Sequence, residues 1–212
     1  MVAVVLVVIA AGFLTMGLRG HQVPLPGPAT ARTPMMLAGP TTGPDLTPNS
    51  GGVPAPPAAV ARSVPVALRI PALDLAVPLT TLGLNPDHTV EVPTDFGQPG
   101  WFRLGPAPGE LGSAVILGHV DSYQGPAVFF RLRDLKPGDQ VEVSLTDRVT
   151  AHFTVTSVVM YPKDQFPAQQ VYTPHGHSDL QLVTCGGTFD TTTRSYLSNI
   201  VAYTTLTTTT TS

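Results

Sequence analysis

Apolar and polar residues alternate with a period of two from residue 63 onward, in short runs divided by Pro, Gly and Asp clusters. That period sends successive side chains to opposite faces of an extended chain, so the runs read as strands buried on one face. Eight strands are expected: VALRI (66–70), LAVPL (75–79), TVEV (89–92), AVILGH (114–119), QVEVSL (140–145), HFTVTSVVMY (152–161), LQLVTC (180–185) and NIVAYTTL (199–206). KPGD (136–139) reads as a turn feeding a strand. Helical signals are few, and VFFRLRDL (128–135) is the best segment for a turn or two. Many short, punctuated strands predict an all-β fold, a closed barrel in preference to a sandwich.

The N-terminal part follows a different pattern. Residues 2–18, VAVVLVVIAAGFLTMGL, are continuously apolar and end at Arg19. Seventeen helical residues reach about 25 Å, just short of a ~30 Å hydrocarbon core. Residues 1–19 therefore read as a transmembrane signal anchor in preference to a cleaved signal peptide. No basic residue precedes the segment, which is unusual for the orientation it requires. Residues 20–62 are rich in Pro, Gly, Ala and Thr: of 23 prolines, eleven lie between Pro24 and Pro65, and Arg32 and Asp45 are the sole charges from His21 to Ala61. Such a stretch buries too little apolar surface to offset its ordering entropy and reads as a semi-extended linker. The folded unit is expected over 63–207, about 150 residues and enough for one core. Residues 208–212 read as a flexible tail.

Charge and cysteine usage narrow the function. A net charge of −3 without any Lys/Arg run gives no reason to expect nucleic acid as a partner. One cysteine is present, so it is either a buried small hydrophobe or a reactive thiol. Its neighbours fit the second without excluding the first. LQLVTC ends in Cys185, followed by Gly186-Gly187, and AVILGH ends in His119. A thiol at a strand end is held rigidly yet near the rim, and the glycines let another backbone approach it. The thiolate is the nucleophile, and an imidazole nearby can take its proton and later return it to a leaving amine. Arg194, nine residues beyond Cys185, is either an oxyanion or carbonyl ligand or an exposed loop arginine.

Two segments carry a family resemblance: PGWFRLGPAPGELGSAVILGHVDSYQGPAVFFRLRDLKPGD and LQLVTCGGTFDTTTRSYLSNIVAY. They closely resemble the actinobacterial class F sortases, and the resemblance extends over the folded part, from about Val64 to Leu206. AVILGHVDS holds the family histidine, and LVTC matches the T-L-x-T-C pattern with Val183 in the variable place. The resemblance implies an eight-stranded closed sortase-type β-barrel behind a membrane tether and proline-rich spacer. It implies a cysteine transpeptidase acting on LPXTG-like surface-protein sorting signals. Cys185 would attack the Thr–Gly carbonyl, His119 would protonate the departing amine, and a peptidoglycan precursor amine would accept the acyl group. Arg194 maps to the family arginine, although other sortase classes carry it a few residues later, nearest here to Asn199, which has no charge. Thr184 matches the threonine before the nucleophile and is a substrate-positioning candidate, as are Gly186 and Asp121; Asp121 either orients the imidazole or caps a turn. No cofactor or metal is implied. The expected location is the cell membrane, single-pass, with the catalytic domain outside the cytoplasm.

Other features weigh less. His175-Gly176-His177 has ligand types at short spacing but no third ligand, and reads as loop histidines. Trp101 and Phe102 line either a groove or the core. Two rival functions share the same residues: a cysteine peptidase that only hydrolyses, and a non-catalytic surface module on the same barrel.

Overall fold

The computed structural model describes residues 60–173 and 176–211. The anchor predicted over 1–19 and nearly all of the linker lie outside them. Eleven strands occur among the described residues: β1 (Pro65–Ile70), β2 (Leu75–Pro78), β3 (Thr80–Leu82), β4 (Gly100–Phe102), β5 (Gly112–Leu117), β6 (Asp121–Ser122), β7 (Gly125–Pro126), β8 (Gln140–Leu145), β9 (Val149–Pro162), β10 (Ser178–Asp190) and β11 (Ser195–Thr211). The short helix α1 (Ala168–Tyr172) and three single turns of 3₁₀ helix complete the set. Nine strands form one sheet in the order β2-β1-β8-β9-β11-β10-β5-β4-β3, and β6 and β7 pair separately as a hairpin.

The fold is all-β, a nearly closed barrel, with two corrections to the expected eight closed strands. The two edge strands, β2 and β3, are consecutive and joined only through Leu79, whose N–H donates to Val66 O at 2.9 Å, while Thr80 N donates to Pro99 O at 3.0 Å. The edges therefore meet at Leu79 without a ladder between them. The second correction concerns TVEV, which forms only an isolated bridge, Leu84↔Val90. Asp87 closes an Asx turn there by accepting Thr89 N at 3.0 Å, and that turn competes with a ladder. Three-residue β3 and β4 were too short to show a period.

Alternation in the long strands divides the core in two. Leu180 and Leu182 of β10, Ile200 and Ala202 of β11, and Ile116 of β5 face the barrel interior with Phe129 and Phe153. Val183, Val201, Val115 and Leu117 face the other way and meet Leu82, Val90 and Val171 of α1, with Phe102, Tyr161, Phe166, Tyr172 and Tyr203 packed around them. Trp101 belongs to the interior core, its Nε1 donating to Pro106 O at 3.0 Å, and Phe102 to the outer cluster.

Both ends of the domain reach further than composition suggests. Residues 208–211, expected as part of a tail, continue β11 and pair with Val149–His152 of β9. Threonine is weakly hydrophobic but β-branched, so it fits a strand without announcing one by hydropathy. Val60 and Arg62, placed in the linker by composition, are docked. Val60 N donates to Gly109 O at 3.0 Å, and the Arg62 guanidinium binds Arg103 O (2.7 Å), Gly105 O (3.1 Å) and Glu110 (3.0 Å) above the Trp101 ring.

Candidate active site

β5 and β10 run parallel, and their last ladder pair is Val183↔Leu117. Gly118 N then donates to Val183 O at 3.1 Å, and Thr184 Oγ1 donates to Gly118 O at 2.8 Å. His119 and Cys185 each stand two residues beyond that pair; His119 lies just past the end of β5, whereas Cys185, expected at a strand end, lies within β10, which runs on to Asp190. Adjoining strands are about 4.8 Å apart in the hydrogen-bonding direction. Alternation carries Cys185 to the face of Val183, the outer cluster, and not to the barrel interior.

His119 is held from several sides. Its backbone O accepts Phe129 N at 2.9 Å, and the Phe96 ring lies 4.6 Å away, tilted by 48°. Nε2 is 2.7 Å from Pro93 O, and a carbonyl only accepts, so Nε2 carries a proton. In the neutral imidazole, Nδ1 is then the nitrogen with a free lone pair. His119 is 6 % exposed and Cys185 2 %. Burial pushes the Cys185 thiol up to about 11; the Lys163 ammonium opposes that rise and the Asp121 carboxylate adds to it. Left to its surroundings, the thiol stays protonated at neutral pH.

The remaining predicted residues take different places. Thr184 is fully buried, its hydroxyl spent on Gly118 O, so it fixes the strand carrying His119 and does not face a substrate. Gly186 is buried too, and a Cβ there would lie 2.5 Å from Ile200 Cδ1. Gly187 has φ +77 at the irregularity in the β10–β11 ladder. These glycines thus serve strand packing more than access to the thiol. Asp121 is half-buried and accepts a hydrogen bond from Tyr196 Oη. Arg194 closes the loop between β10 and β11, which Asp190 caps by accepting Thr192 N and Thr193 Oγ1, each at 2.8 Å. It is exposed, has φ 52, and makes no hydrogen bond or ion pair among the described residues. His175 lies outside the described residues; His177 O accepts Gly112 N at 2.7 Å.

Two residues at the site, Lys163 and Tyr196, were not expected from sequence, and a third, Asn199, was noted there only for its lack of charge. Lys163, at the end of β9, donates to Ser195 Oγ at 2.8 Å and is the cation acting on Cys185. Tyr196 ties the strand after the Arg194 loop to Asp121, and burial with that contact pushes its phenol up to about 12. Asn199 pairs with Cys185 across β10 and β11 and with Tyr161 across β9. Lys163 had a sequence signal in its place just after a predicted strand, with Pro162 between, and Asn199 in its register near the family arginine.

No curated protein matches the sequence. Among solved structures, the fold is similar to Listeria monocytogenes sortase A (TM-score 0.54, 16% identity, covering 72% of this chain and 92% of that one). It is similar to sortase C1 from Streptococcus agalactiae (TM-score 0.53, 18% identity, 67% and 66%) and to sortase A from Corynebacterium diphtheriae (TM-score 0.52, 16% identity, 69% and 62%). The chain thus spans just under two thirds of the latter two structures. At these identities the likeness speaks for the fold. The sequence itself matches the sortase domain family over residues 68–207, about two thirds of the chain and nearly the whole barrel. On that match, the chain belongs to the sortase family.

Proposed function

We propose that this chain is a cysteine transpeptidase that cleaves an LPXTG-like sorting signal at its Thr–Gly bond and transfers the acyl part to a cell-wall amine. The observation that carries this reading is the parallel β5/β10 register, which sets Cys185 of β10 beside a His119 of fixed tautomer where the β5 pairing ends. Nδ1 of His119 takes the Cys185 proton, and the thiolate attacks the threonine carbonyl carbon. The C–N bond breaks, the imidazolium returns its proton to the glycine amine, and a thioester remains on Cys185. An incoming amine then attacks that thioester, losing its proton to His119, and the sulfur leaves as thiolate. In this reading Lys163, beside the thiol, and Arg194, in the adjoining loop, supply positive charge to the developing oxyanion.

The class F assignment rests on the AVILGHVDS and LVTC segments. The apolar stretch 2–18 and the proline-rich spacer support a single-pass membrane anchor with the barrel outside the cytoplasm. Incubation with LPXTG-like peptides, with and without an added amine, followed by mass spectrometry, tests the reading. Amine-dependent ligation that disappears in Cys185→Ala is the expected result. Cleavage without ligation would make the chain a hydrolytic peptidase, and no reaction across a broad peptide set would make it a non-catalytic module.

A further inference from the structure

Asn199 is fully buried, yet neither its Oδ1 nor its Nδ2 has a hydrogen-bond partner. Among the described residues only Tyr172 Oη and Gln181 Oε1 share that condition, each with a single atom. An orphaned buried amide is costly, and a leucine of similar volume at this position would avoid the cost. The location of the cost is informative. Asn199 is the cross-strand partner of Cys185 in the antiparallel β10–β11 pair. Directly opposed residues put their side chains on the same face with Cβ atoms about 4.5–5.5 Å apart. Val201 and Val183, two residues along, both lie in the outer cluster, which puts Asn199 and Cys185 on that face.

We infer that Asn199 is a catalytic residue, a hydrogen-bond donor that waits for the Cys185 thiolate. A thiol sulfur is a weak acceptor, so the resting site gives the amide nothing to bind. When the S–H bond breaks, the proton goes to Nδ1 of His119 and the sulfur keeps the electron pair. The sulfur then becomes a strong anionic acceptor beside the Nδ2–H of Asn199. A buried, unpaired donor is already desolvated, so it offers the anion a partner without first giving up water. The other titratable groups facing this pair are His119 beyond β5, Asp121 in β6, Lys163 beyond β9, Tyr161 in β9 and Tyr196 in β11. Of these, only Lys163 and the protonated His119 favour the anion. Thiolate formation in so buried a place needs a further donor, and Asn199 is the one that nothing else occupies.

The inference deepens the transpeptidase reading and rests on it for its role in turnover, but thiol ionisation can be measured without any sorting peptide. The full chain, its Asn199→Leu variant and its Asn199→Ala variant are alkylated with iodoacetamide from pH 6 to 12, with thermal melts alongside at each pH. Loss of the donor raises the midpoint of thiolate formation and slows alkylation at neutral pH at least about tenfold, as a hydrogen bond to a charged group predicts. Asn199→Leu melts no lower than wild type, because the orphan amide is gone; Asn199→Ala serves if the leucine variant fails to fold. A folded variant with the wild-type midpoint and rate overturns the inference. If the midpoint moves but wild type ligates no peptide, the transpeptidase reading fails and the role of Asn199 at the thiol stands.

Discussion

The burial that holds Cys185 in place also makes it a pH-dependent contributor to stability. Its thiol is raised in the folded state to about 11, above the ordinary value near ~8.5. Between those values the unfolded chain has lost the proton and the folded chain has kept it, so stability falls as pH rises. The contribution is complete below about pH 8.5 and is lost as pH approaches 11. Tyr196, raised to about 12, acts only above the ordinary tyrosine range near ~10, which leaves a window for the cysteine alone. Urea unfolding at pH 8.5 and 10 should show wild type losing about 1–2 kcal/mol more than Cys185→Ala over that interval. Equal losses would mean the thiol is not buried as described. Arg194 poses a separate residue-scale question, because its φ of 52 is costly for a side chain and its guanidinium makes no hydrogen bond or ion pair among the described residues. Arg194→Gly relieves the backbone and should leave the melting temperature equal or slightly higher. If the guanidinium meets the oxyanion, the same variant and Arg194→Lys should both lose about 10²–10³ in peptide ligation rate. Normal rates in both would leave Lys163 as the working cation.

Catalytic geometry at the element scale depends on where the parallel pairing of β5 with β10 ends. The Thr184 hydroxyl bound to Gly118 O extends the β5–β10 pairing past its last ladder pair and so sets how His119 stands beside Cys185. Thr184→Val keeps the shape, leaves a buried carbonyl unpaired and should cost about 1–3 kcal/mol of stability. A rate loss falling on kcat more than on KM, with unchanged pH limbs, would mark a positioning role; full activity would reduce Thr184 to a packing residue. The same strands show what was legible in the sequence. Cys185 and His119 were readable because a period of two and a terminal polar residue are local properties of 180–185 and 114–119. Six further strands were likewise expected, five of them within a few residues of their observed bounds. Lys163, Tyr196 and Asn199 were not readable as a group, because β9, β11 and β10 bring them together by register. That register depends on irregularities between Tyr203 and Thr204 and between Gly186 and Phe189, which no local pattern specifies.

At the scale of the whole molecule, the open question is where the barrel begins, and Arg62 argues for an earlier boundary than the first strand. The guanidinium binds two backbone carbonyls, those of Arg103 and Gly105, and stacks 5.3 Å from the centre of the Trp101 ring. Its ion pair with Glu110 involves a side chain that is half exposed and adds little by itself. The carbonyl bonds matter more, because they fasten the 103–110 loop that leads into β5, the strand ending at His119. Val60 adds a backbone bond to Gly109 and apolar contact with the core. A chain starting at residue 58 keeps both contacts, whereas one starting at residue 63 loses both while retaining every strand. The shorter chain should be less stable by about 1–3 kcal/mol, a drop of several degrees in Tm. Arg62→Ala in the longer chain should reproduce part of that drop. Both chains should still react at Cys185, since no residue of the site lies before β1, but the shorter one should lose activity at a lower temperature. Equal melting of the two would return residues 60–62 to the linker and leave the spacer ending at β1.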